Sequence, residues 1–384
     1  MPIIEPFPLI ELSGSPRQRG LVYGEAAKGR IRRSIDLYKG QIEAAGAGLP
    51  QLADLAGDFI SRIREWSPDM ITEMEAVAEG ADVTFIEIVL VNARTELVQL
   101  ARRRAAAAML QPDGCTGVVA MPEKTDTGEL LHGQTWDWLA ECAETSVVLK
   151  IRRQDGPDIL TFTEAGGLSR NGFNSAGIAV TANYLESDRD YRTPGIPLTL
   201  IRRKALEQRH LADAFRVVAT TPKSTSNNMI VSSAHGFAVN FECAPDEAFT
   251  ILPQDGLIVH ANHWQSPVAL AKLKEMGIRN MPDSLYRDFM VRRHLRNVGN
   301  AIGMDDIRQA LSDRFGAPYS VCRPPIPGIA GNLSATVAMV LFRPAAGLME
   351  VTPLPAINSE ASVYALDMDM SVSAGIKPSV AACA

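Results

Sequence analysis

The spacing of apolar residues changes once along this chain, near residue 115, and this change constrains the fold more than any other feature. Before it, apolar side chains recur about every 3.6 residues, for example over 17–45, which is typical of amphipathic helices. After it, short apolar runs separated by turn residues predict many strands, with helices at about 197–218, 284–299 and 304–312. This order predicts stacked sheets covered by helices, within a single domain.

Composition excludes several classes of protein. Hydrophobic residues make up 46% and charged residues 21%, as in ordinary globular proteins, and the net charge of −6 offers no basic surface to nucleic acid. The chain has neither a signal-peptide pattern nor an apolar run of the ~18 residues that a membrane span needs. Its five cysteines are odd in number and scattered, which fits a reducing cytoplasm. We therefore expect a cytoplasmic protein without nucleic-acid, membrane, metal or cofactor partners.

Cys115 lies where the helical part ends and the first strand begins. Pro112 ends any helical continuation, and 116–121 predicts a short strand. A thiol at this position can attack the carbonyl carbon of the preceding residue, Gly114. If that peptide bond breaks, Cys115 gains a free α-amine, whose ordinary pKa near ~8 makes it a base beside its own thiol. The alternative, a buried cysteine that packs as a small hydrophobe, is favoured by the residue pattern alone.

Asp137 lies in the segment 131–138, which is the expected hairpin partner of the Cys115 strand. The interval is long enough for one strand, a turn and a returning strand. Its carboxylate is therefore expected near Cys115, where it could orient the α-ammonium. A turn aspartate between the packed tryptophans Trp136 and Trp138 explains the same residues, so both interpretations remain open.

His260, Asn262 and His263 end another predicted strand. Strand alternation places His260 and Asn262 on one face and His263 on the other, which disfavours a two-histidine metal site. The amide of Asn262 suits oxyanion stabilisation because it donates N–H groups without a proton to lose. A turn asparagine with nearby histidines accounts for the same pattern, and a metal enzyme that uses both histidines with an acid is a further alternative.

Arg323 lies in a loop rich in proline. Rigid loops hold functional groups well, and a guanidinium can bind a carboxylate through two hydrogen bonds. A surface arginine is the alternative. Ser-His-Asp catalysis has no support, because the sequence lacks G-x-S-x-G.

Taken in order, these segments resemble the family of acyl-coenzyme A:6-aminopenicillanic acid acyltransferase (isopenicillin N acyltransferase), within the cysteine N-terminal-nucleophile hydrolases. No single motif is specific, but six occur in register, and the similarity covers about residues 10–355. The matching stretches are 113–116, 133–137, 163–166, 172–180, 260–263 and 319–323, and 19–24 resembles the family's first helix.

The resemblance implies a fold, a processing event and site residues. The fold is α+β, a four-layer αββα sandwich, and the chain cuts itself between Gly114 and Cys115. The fragments 1–114 and 115–384 then stay associated as an α and a β chain. By the same resemblance, Cys115 is the nucleophile of self-cleavage and of turnover.

Further roles also follow from the resemblance. Asp137 is the carboxylate beside the new amine, Asn262 the oxyanion-hole side chain and Arg323 an auxiliary site residue. Three more residues are candidates for a substrate pocket: Trp136, Glu164 and His263.

The activity implied is hydrolysis of a small N-acyl amide through an acyl-thioester on cysteine, because water is always available to the acyl-enzyme. Acyl transfer to an amine, for example from a coenzyme A thioester to a β-lactam nucleus, is the alternative, and an uncleaved ligand-binding relative is the second. Thr135 stands where the acyltransferase that gives the family its name has asparagine. The substrate class therefore remains open between N-acyl amides and acyl thioesters. Homo-oligomerisation also remains open.

Overall fold

The computed structural model describes residues 5–44, 46, 48–105, 114–327 and 333–370 of the 384-residue chain. Its helices are α1 (Pro16–Ala26), α2 (Lys28–Ala44), α3 (Leu49–Trp66), α4 (Pro68–Ala81), α5 (Phe85–Asn92), α6 (Arg94–Ala105), α7 (Leu198–Leu206), α8 (Leu211–Thr220), α9 (Pro267–Lys272), α10 (Asp283–Val298) and α11 (Met304–Leu311). Its strands are β1 (Leu9–Ser13), β2 (Gly114–Ala120), β3 (Leu131–Leu139), β4 (Ser146–Arg152), β5 (Ile159–Glu164), β6 (Asn171–Asn174), β7 (Ile178–Tyr184), β8 (Asn227–Ser233), β9 (Phe237–Cys243), β10 (Ala248–Ile251), β11 (Leu257–His260), β12 (Ile326–Pro327), β13 (Leu333–Arg343), β14 (Leu348–Pro353) and β15 (Ser362–Ala365).

The strands form two sheets that pack face to face. Sheet A has the order β1-β4-β5-β6-β7-β8-β9-β10, and sheet B has the order β11-β2-β3-β13-β14-β15 with β12 paired to β13. His132 of sheet B bonds Thr181 and Ser232 of sheet A, both at 2.8 Å. Trp136 packs against Phe162 with ring centroids 5.9 Å apart. Apolar side chains of both inner faces thus join in one core.

Helices cover the outer faces of both sheets. The helices α7 and α8 pack on sheet A through β6–β9, and α10 and α11 pack on sheet B through β3, β11 and β13. The layers are therefore helix, sheet, sheet and helix, which confirms the expected α+β sandwich of αββα type. No helix within the described residues is both long enough and apolar enough to cross a membrane.

Helices α1 and α5 contact the connection between β5 and β6. The Tyr23 hydroxyl donates to the carbonyl of Gly167 at 3.0 Å and accepts the N–H of Gly166 at 2.9 Å. The Asn92 amide donates to the Gly166 carbonyl at 2.8 Å and accepts the N–H of Leu168 at 2.9 Å. Side chains of α1 and α5 therefore satisfy buried backbone groups of this connection, which fixes these helices on the sandwich.

Two predicted helices are each interrupted in the structure. The predicted helix over 17–45 is α1 followed by α2, and the one over 197–218 is α7 followed by α8. A Cβ at Gly20 would lie 2.3 Å from the Glu73 carbonyl, so α1 packs against α4 almost backbone to backbone. The 3.6-residue spacing continues through both helices, and for this reason it does not reveal the change of direction between them.

Candidate active site

The predicted hairpin of β2 and β3 is confirmed, and it brings the first candidate residues together. The two strands are antiparallel, with Gly114 opposite Asp137 and Cys115 opposite Trp136. On the other side of β2, β11 pairs so that His260 lies opposite Gly117. The chain after β11 therefore runs beside the beginning of β2.

Cys115 is buried at the beginning of β2, with 2% of its surface exposed. Its backbone N–H donates to Oδ1 of Asn262 at 2.9 Å. Because paired residues share a face, its side chain lies on the same face of sheet B as that of Trp136, which packs toward sheet A. Burial alone would fit a core cysteine, but the backbone contact places Asn262 at the Gly114–Cys115 peptide.

The Asp137 carboxylate lies on the opposite face of the hairpin, directly against Gly114. A Cβ at Gly114 would be 2.8 Å from Asp137 Oδ2. Oδ1 accepts a hydrogen bond from Thr336 Oγ1 at 2.6 Å. Oδ2 is 3.2 Å from Arg323 Nε, and it has no hydrogen-bond partner within the described part of the chain. Burial raises the pKa of Asp137, although Arg323 opposes this effect.

Asn262 is held in one orientation from three sides. Its Nδ2 donates to the Tyr184 carbonyl at 2.9 Å, and its backbone N–H donates to Ser284 Oγ at 2.7 Å. Its Oδ1 accepts from Arg287 Nη2 at 2.8 Å as well as from Cys115. The side-chain oxygen thus has two donors, one of them charged.

The two histidines beside Asn262 have separate hydrogen-bond partners. His260 Nε2 is 2.7 Å from Glu242 of sheet A, whereas His263 Nδ1 is 2.8 Å from Ser284 of α10. Their rings nevertheless stack, with centroids 6.3 Å apart. Burial lowers the pKa of His263 to about 4, so this ring is neutral at pH 7. Among the residues with described positions, no three His, Cys, Asp or Glu groups lie close enough to hold a metal ion.

Arg323 is not a surface residue, because it is almost fully buried between two carboxylates. Its Nη2 donates to Asp283 Oδ2 at 2.5 Å, and its Nε faces Asp137. The backbone N–H of Arg323 donates to Thr336 Oγ1 at 2.7 Å, so one threonine bonds both Arg323 and Asp137. The proline-rich loop therefore brings a cation to the carboxylate that faces Gly114.

Arg287 also lies in this site, and the sequence reasoning did not identify it. It donates to the Cys115 carbonyl at 2.7 Å and to Asn262 Oδ1 at 2.8 Å. Several arginines follow one another on α10, and their presence alone does not show which one points inward. The available signal was the spacing of Arg287 from the buried Val291 and Leu295, which places all three on one face of the helix.

Glu164, predicted for a substrate pocket, lies in a buried charged cluster. It accepts from Tyr38 at 2.5 Å, from Arg94 at 2.9 Å and from Arg170 at 2.8 and 2.9 Å. The Arg170 guanidinium also lies over the Trp136 ring, 3.9 Å from its centroid. Arg170 therefore bridges Trp136 and Glu164, whereas His263 contacts α10.

A cavity of about 620 Å³ is lined in part by the 276–280 loop. A Cβ at Gly277 would lie 3.4 Å from the Asn262 carbonyl and 3.7 Å from Glu186 Cβ, so the 276–280 loop lies against both residues. Most of the lining is polar or charged, and it consists of Arg103, Glu186, Ser187, Asp188, Met276, Arg279 and Asn280. None of these residues was predicted from the sequence.

The chain is similar to a known family and to several characterised proteins. Residues 123–352 match the family model described as acyl-coenzyme A:6-aminopenicillanic acid acyl-transferase. The 40 kDa form of acyl-coenzyme A:6-aminopenicillanic-acid-acyltransferase from Emericella nidulans is 31% identical over 324 residues, which are 82% of this chain and 84% of that protein. Among solved structures, the Caenorhabditis elegans N-acylethanolamine-hydrolyzing acid amidase ortholog is similar at 14% identity and a TM-score of 0.43, over 60% of this chain and 93% of that one. Penicillin V acylase from Agrobacterium tumefaciens is similar at 15% identity and a TM-score of 0.43, over 66% and 86%. The family match and the 31% identical relative confirm the resemblance, and this chain belongs to the acyl-coenzyme A:6-aminopenicillanic acid acyltransferase family.

Proposed function

We propose that this chain is a self-processing enzyme that uses Cys115 to hydrolyse small N-acyl amides through a thioester. One observation carries the proposal: the peptide between Gly114 and Cys115 lies between Asn262, which accepts the Cys115 N–H at 2.9 Å, and the Asp137 carboxylate, which lies against Gly114. A thiol, an amide and a carboxylate therefore meet at the bond whose cleavage frees an amine.

The cleavage step rearranges the bond before Cys115. The thiol sulfur attacks the Gly114 carbonyl carbon, and the C–N bond breaks as the Cys115 nitrogen takes the thiol proton. A thioester now joins Gly114 to Sγ, and water hydrolyses it to the Gly114 carboxylate and the free thiol. Asp137 Oδ2 lacks a hydrogen-bond partner within the described residues, and in this proposal it accepts an N–H of the new amine.

Turnover repeats this chemistry on a substrate. The Cys115 amine takes the thiol proton, sulfur attacks the substrate carbonyl, and the leaving amine departs with that proton. Water then hydrolyses the thioester. The contact of Asn262 Oδ1 with the Cys115 nitrogen supports an orienting role, whereas oxyanion stabilisation by Nδ2, which donates to Tyr184 here, stays a prediction. We assign the cavity lined by the 276–280 loop to the substrate.

Mass spectrometry of the purified protein under denaturing conditions tests the proposal. The expected result is two species in equal amounts, corresponding to 1–114 and 115–384, the second with an N-terminal cysteine. A fully active protein that remains one species of 41.6 kDa would contradict self-processing. Uncut protein without thiol-sensitive activity would favour a ligand-binding relative.

Acyl transfer is the second candidate, and the 31% identical relative favours it because that protein is named as an acyltransferase. Adding 6-aminopenicillanic acid to a reaction with an N-acyl amide should separate the two activities. For a hydrolase, we expect the free acid to remain the main product, with any amide product rising linearly with the added amine. Saturation of the amide product at a low amine concentration, with loss of the free acid, would establish a bound acceptor and favour the transferase. A reaction with water alone is the control.

The fragments proposed above are joined by buried ion pairs as well as by apolar packing. Arg94 of the first fragment pairs with Glu164 of the second at 2.9 Å, and Glu73 pairs with Arg203 at 3.1 Å. All four side chains are at least nine-tenths buried. Breaking a buried pair leaves an uncompensated charge in a medium of low polarity, so these pairs support continued association of the fragments after cleavage.

Replacing Glu164 with glutamine should strongly destabilise the protein. Burial alone would raise the pKa of Glu164, but Arg170 and Arg94 outweigh it and hold that pKa well below the usual range. A lowered carboxyl pKa stabilises the fold above the unfolded-state pKa of about 4.3, and the contribution is lost as the pH falls toward the folded-state pKa. We expect Glu164→Gln to lower the free energy of unfolding by about 3 to 5 kcal/mol at pH 7, with a smaller difference below about pH 4.

Urea unfolding in an uncut Cys115→Ala background measures this effect without fragment dissociation. The matched control is Glu79→Gln, which removes a carboxylate that pairs with Arg17 on the surface, where the Glu79 side chain is 55% exposed. That change should alter the free energy of unfolding by less than about 1 kcal/mol. Equal effects of the two substitutions would show that the Glu164 cluster contributes little to the stability of the fold.

A further inference from the structure

We propose that Arg287 is a positioning residue that keeps the freed α-amine of Cys115 uncharged, and therefore basic, at neutral pH. This inference rests on the proposed function, because it presupposes cleavage before Cys115. It adds a residue and a task that neither the sequence pattern nor the family match assigns.

The contacts of Arg287 tie the nucleophile strand to Asn262. The side chain is fully buried, with 0% exposure. Its Nη1 donates to the Cys115 carbonyl at 2.7 Å and to Thr116 Oγ1 at 3.0 Å, while Nη2 donates to Asn262 Oδ1 at 2.8 Å. Its Nε donates to Asp283 Oδ2 at 2.8 Å. A planar guanidinium with donors on several sides suits this position better than the single ammonium of lysine.

Arg287 and the Cys115 nitrogen share one acceptor. Both lie within hydrogen-bond distance of Asn262 Oδ1, so the positive charge is at most two hydrogen-bond lengths from the nitrogen that cleavage would turn into an amine. A like charge at such a distance disfavours the ammonium form. The pKa of the amine should therefore fall below its ordinary value near ~8, which leaves it free to take the thiol proton at neutral pH.

Four charged side chains from three elements lie around the Gly114–Cys115 segment. Asp137 of β3 lies against Gly114, Asp283 and Arg287 come from α10, and Arg323 comes from the loop before β12. Asp283 Oδ2 accepts from both arginines. Removing one of these charges should therefore move the amine pKa in a direction set by the sign of the charge removed.

The other titratable groups near the cluster are neutral at pH 7. Burial raises the pKa of Cys322 to about 12, and burial also raises the pKa of the Tyr286 hydroxyl. Burial lowers the pKa of His263 to about 4. These three groups therefore add no charge to that of the two arginines and the two aspartates.

The pH dependence of kcat/KM tests the inference, because its acidic limb reports groups of the free enzyme. The substrate is an N-acyl 4-nitroanilide that the wild-type enzyme hydrolyses. With Arg287→Met, the local charge becomes more negative, so the midpoint of the acidic limb should rise by about one pH unit. With Asp283→Asn, it should fall by a similar amount. Arg287→Lys keeps the charge, so we expect a lower rate with the midpoint nearly unchanged.

Arg292→Met is the matched control. Arg292 lies on the same helix and pairs with Asp288 at the same four-residue spacing as Arg287 with Asp283. Its removal should leave the midpoint where the wild type has it. Opposite shifts for Arg287→Met and Asp283→Asn support the inference, because a purely structural loss does not move a limb in two directions.

Other outcomes overturn it. If Arg287→Met and Arg287→Lys lose activity equally with an unmoved limb, Arg287 only supports the strand. If Arg287→Met stays uncut, the Asp283→Asn variant decides. An acidic-limb midpoint that does not fall in this variant overturns the inference. If the wild type is cut and active but neither Arg287→Met nor Asp283→Asn moves the midpoint of the acidic limb, only this inference is overturned. A wild type that is uncut and inactive overturns the proposed function, and the inference with it.

Discussion

Replacing Cys115 with alanine is expected to yield a single uncut chain of 41.6 kDa without turnover. The side chain that the substitution removes is the proposed nucleophile of both reactions. Activity should fall to the background of the assay, a larger loss than the roughly 3 kcal/mol typical of one missing oxyanion donor. Denaturing electrophoresis and mass spectrometry measure the first effect, and hydrolysis of an N-acyl amide series measures the second.

Cys243→Ala is the matched control for this experiment. Cys243 is a buried, unpaired cysteine on β9 in sheet A, so its removal also costs a small core side chain. We expect normal cutting and normal turnover from it. Cys115→Ser should cut slowly, because a hydroxyl can make the same attack with a weaker nucleophile. Normal cutting by Cys115→Ala would refute the proposed nucleophile.

Inhibitors separate this mechanism from the metal alternative that uses His260 and His263. Iodoacetamide should abolish the activity of the wild type by alkylating Cys115, and a chelator should leave it unchanged. Activity that a chelator removes and iodoacetamide leaves intact would instead favour a metal enzyme, whether or not the chain is cut.

The local part of the site could be predicted from the sequence, since neighbouring segments meet by strand geometry. One strand, a turn and a returning strand were enough to predict that Asp137 comes near Cys115. The register adds that Asp137 faces Gly114 and that Trp136 shares the face of Cys115. Spacing alone does not determine register to one residue, and a shift by one would exchange these faces.

The non-local part could not be predicted from spacing. Asn262 meets Cys115 because β11 pairs with β2 across a long connection, and only the family resemblance indicated this contact. Glu164 was predicted for a substrate pocket, but its partners Tyr38 and Arg94 come from helices far away in the sequence. Such pairings depend on how the layers of the fold stack. The spacing of apolar residues within one segment carries no information about that stacking.

Replacing Gly114 with alanine should impair cutting and leave turnover intact. The new Cβ would lie 2.8 Å from Asp137 Oδ2 and 3.2 Å from Arg323 Nη1, so the carboxylate or the peptide must move. A displacement of about 1 Å at a reacting bond can cost on the order of 100-fold in rate. After cleavage, residue 114 belongs to the other fragment and no longer precedes the nucleophile. Molecules that do cut should therefore have the wild-type kcat/KM.

Cell-free synthesis followed over time measures the cutting rate, and activity per mole of cut protein measures turnover. Gly40→Ala on the exposed side of α2 is the control, because a Cβ there meets nothing within 4 Å and should leave both quantities unchanged. If Gly114→Ala cuts at the wild-type rate, then the contact between Asp137 and Gly114 does not matter for the bond. If it cuts but turns over slowly, residue 114 acts in the mature site, and the two reactions do not share the geometry proposed here. Slow cutting with normal turnover is the result that only a nucleophile freed by its own cleavage explains.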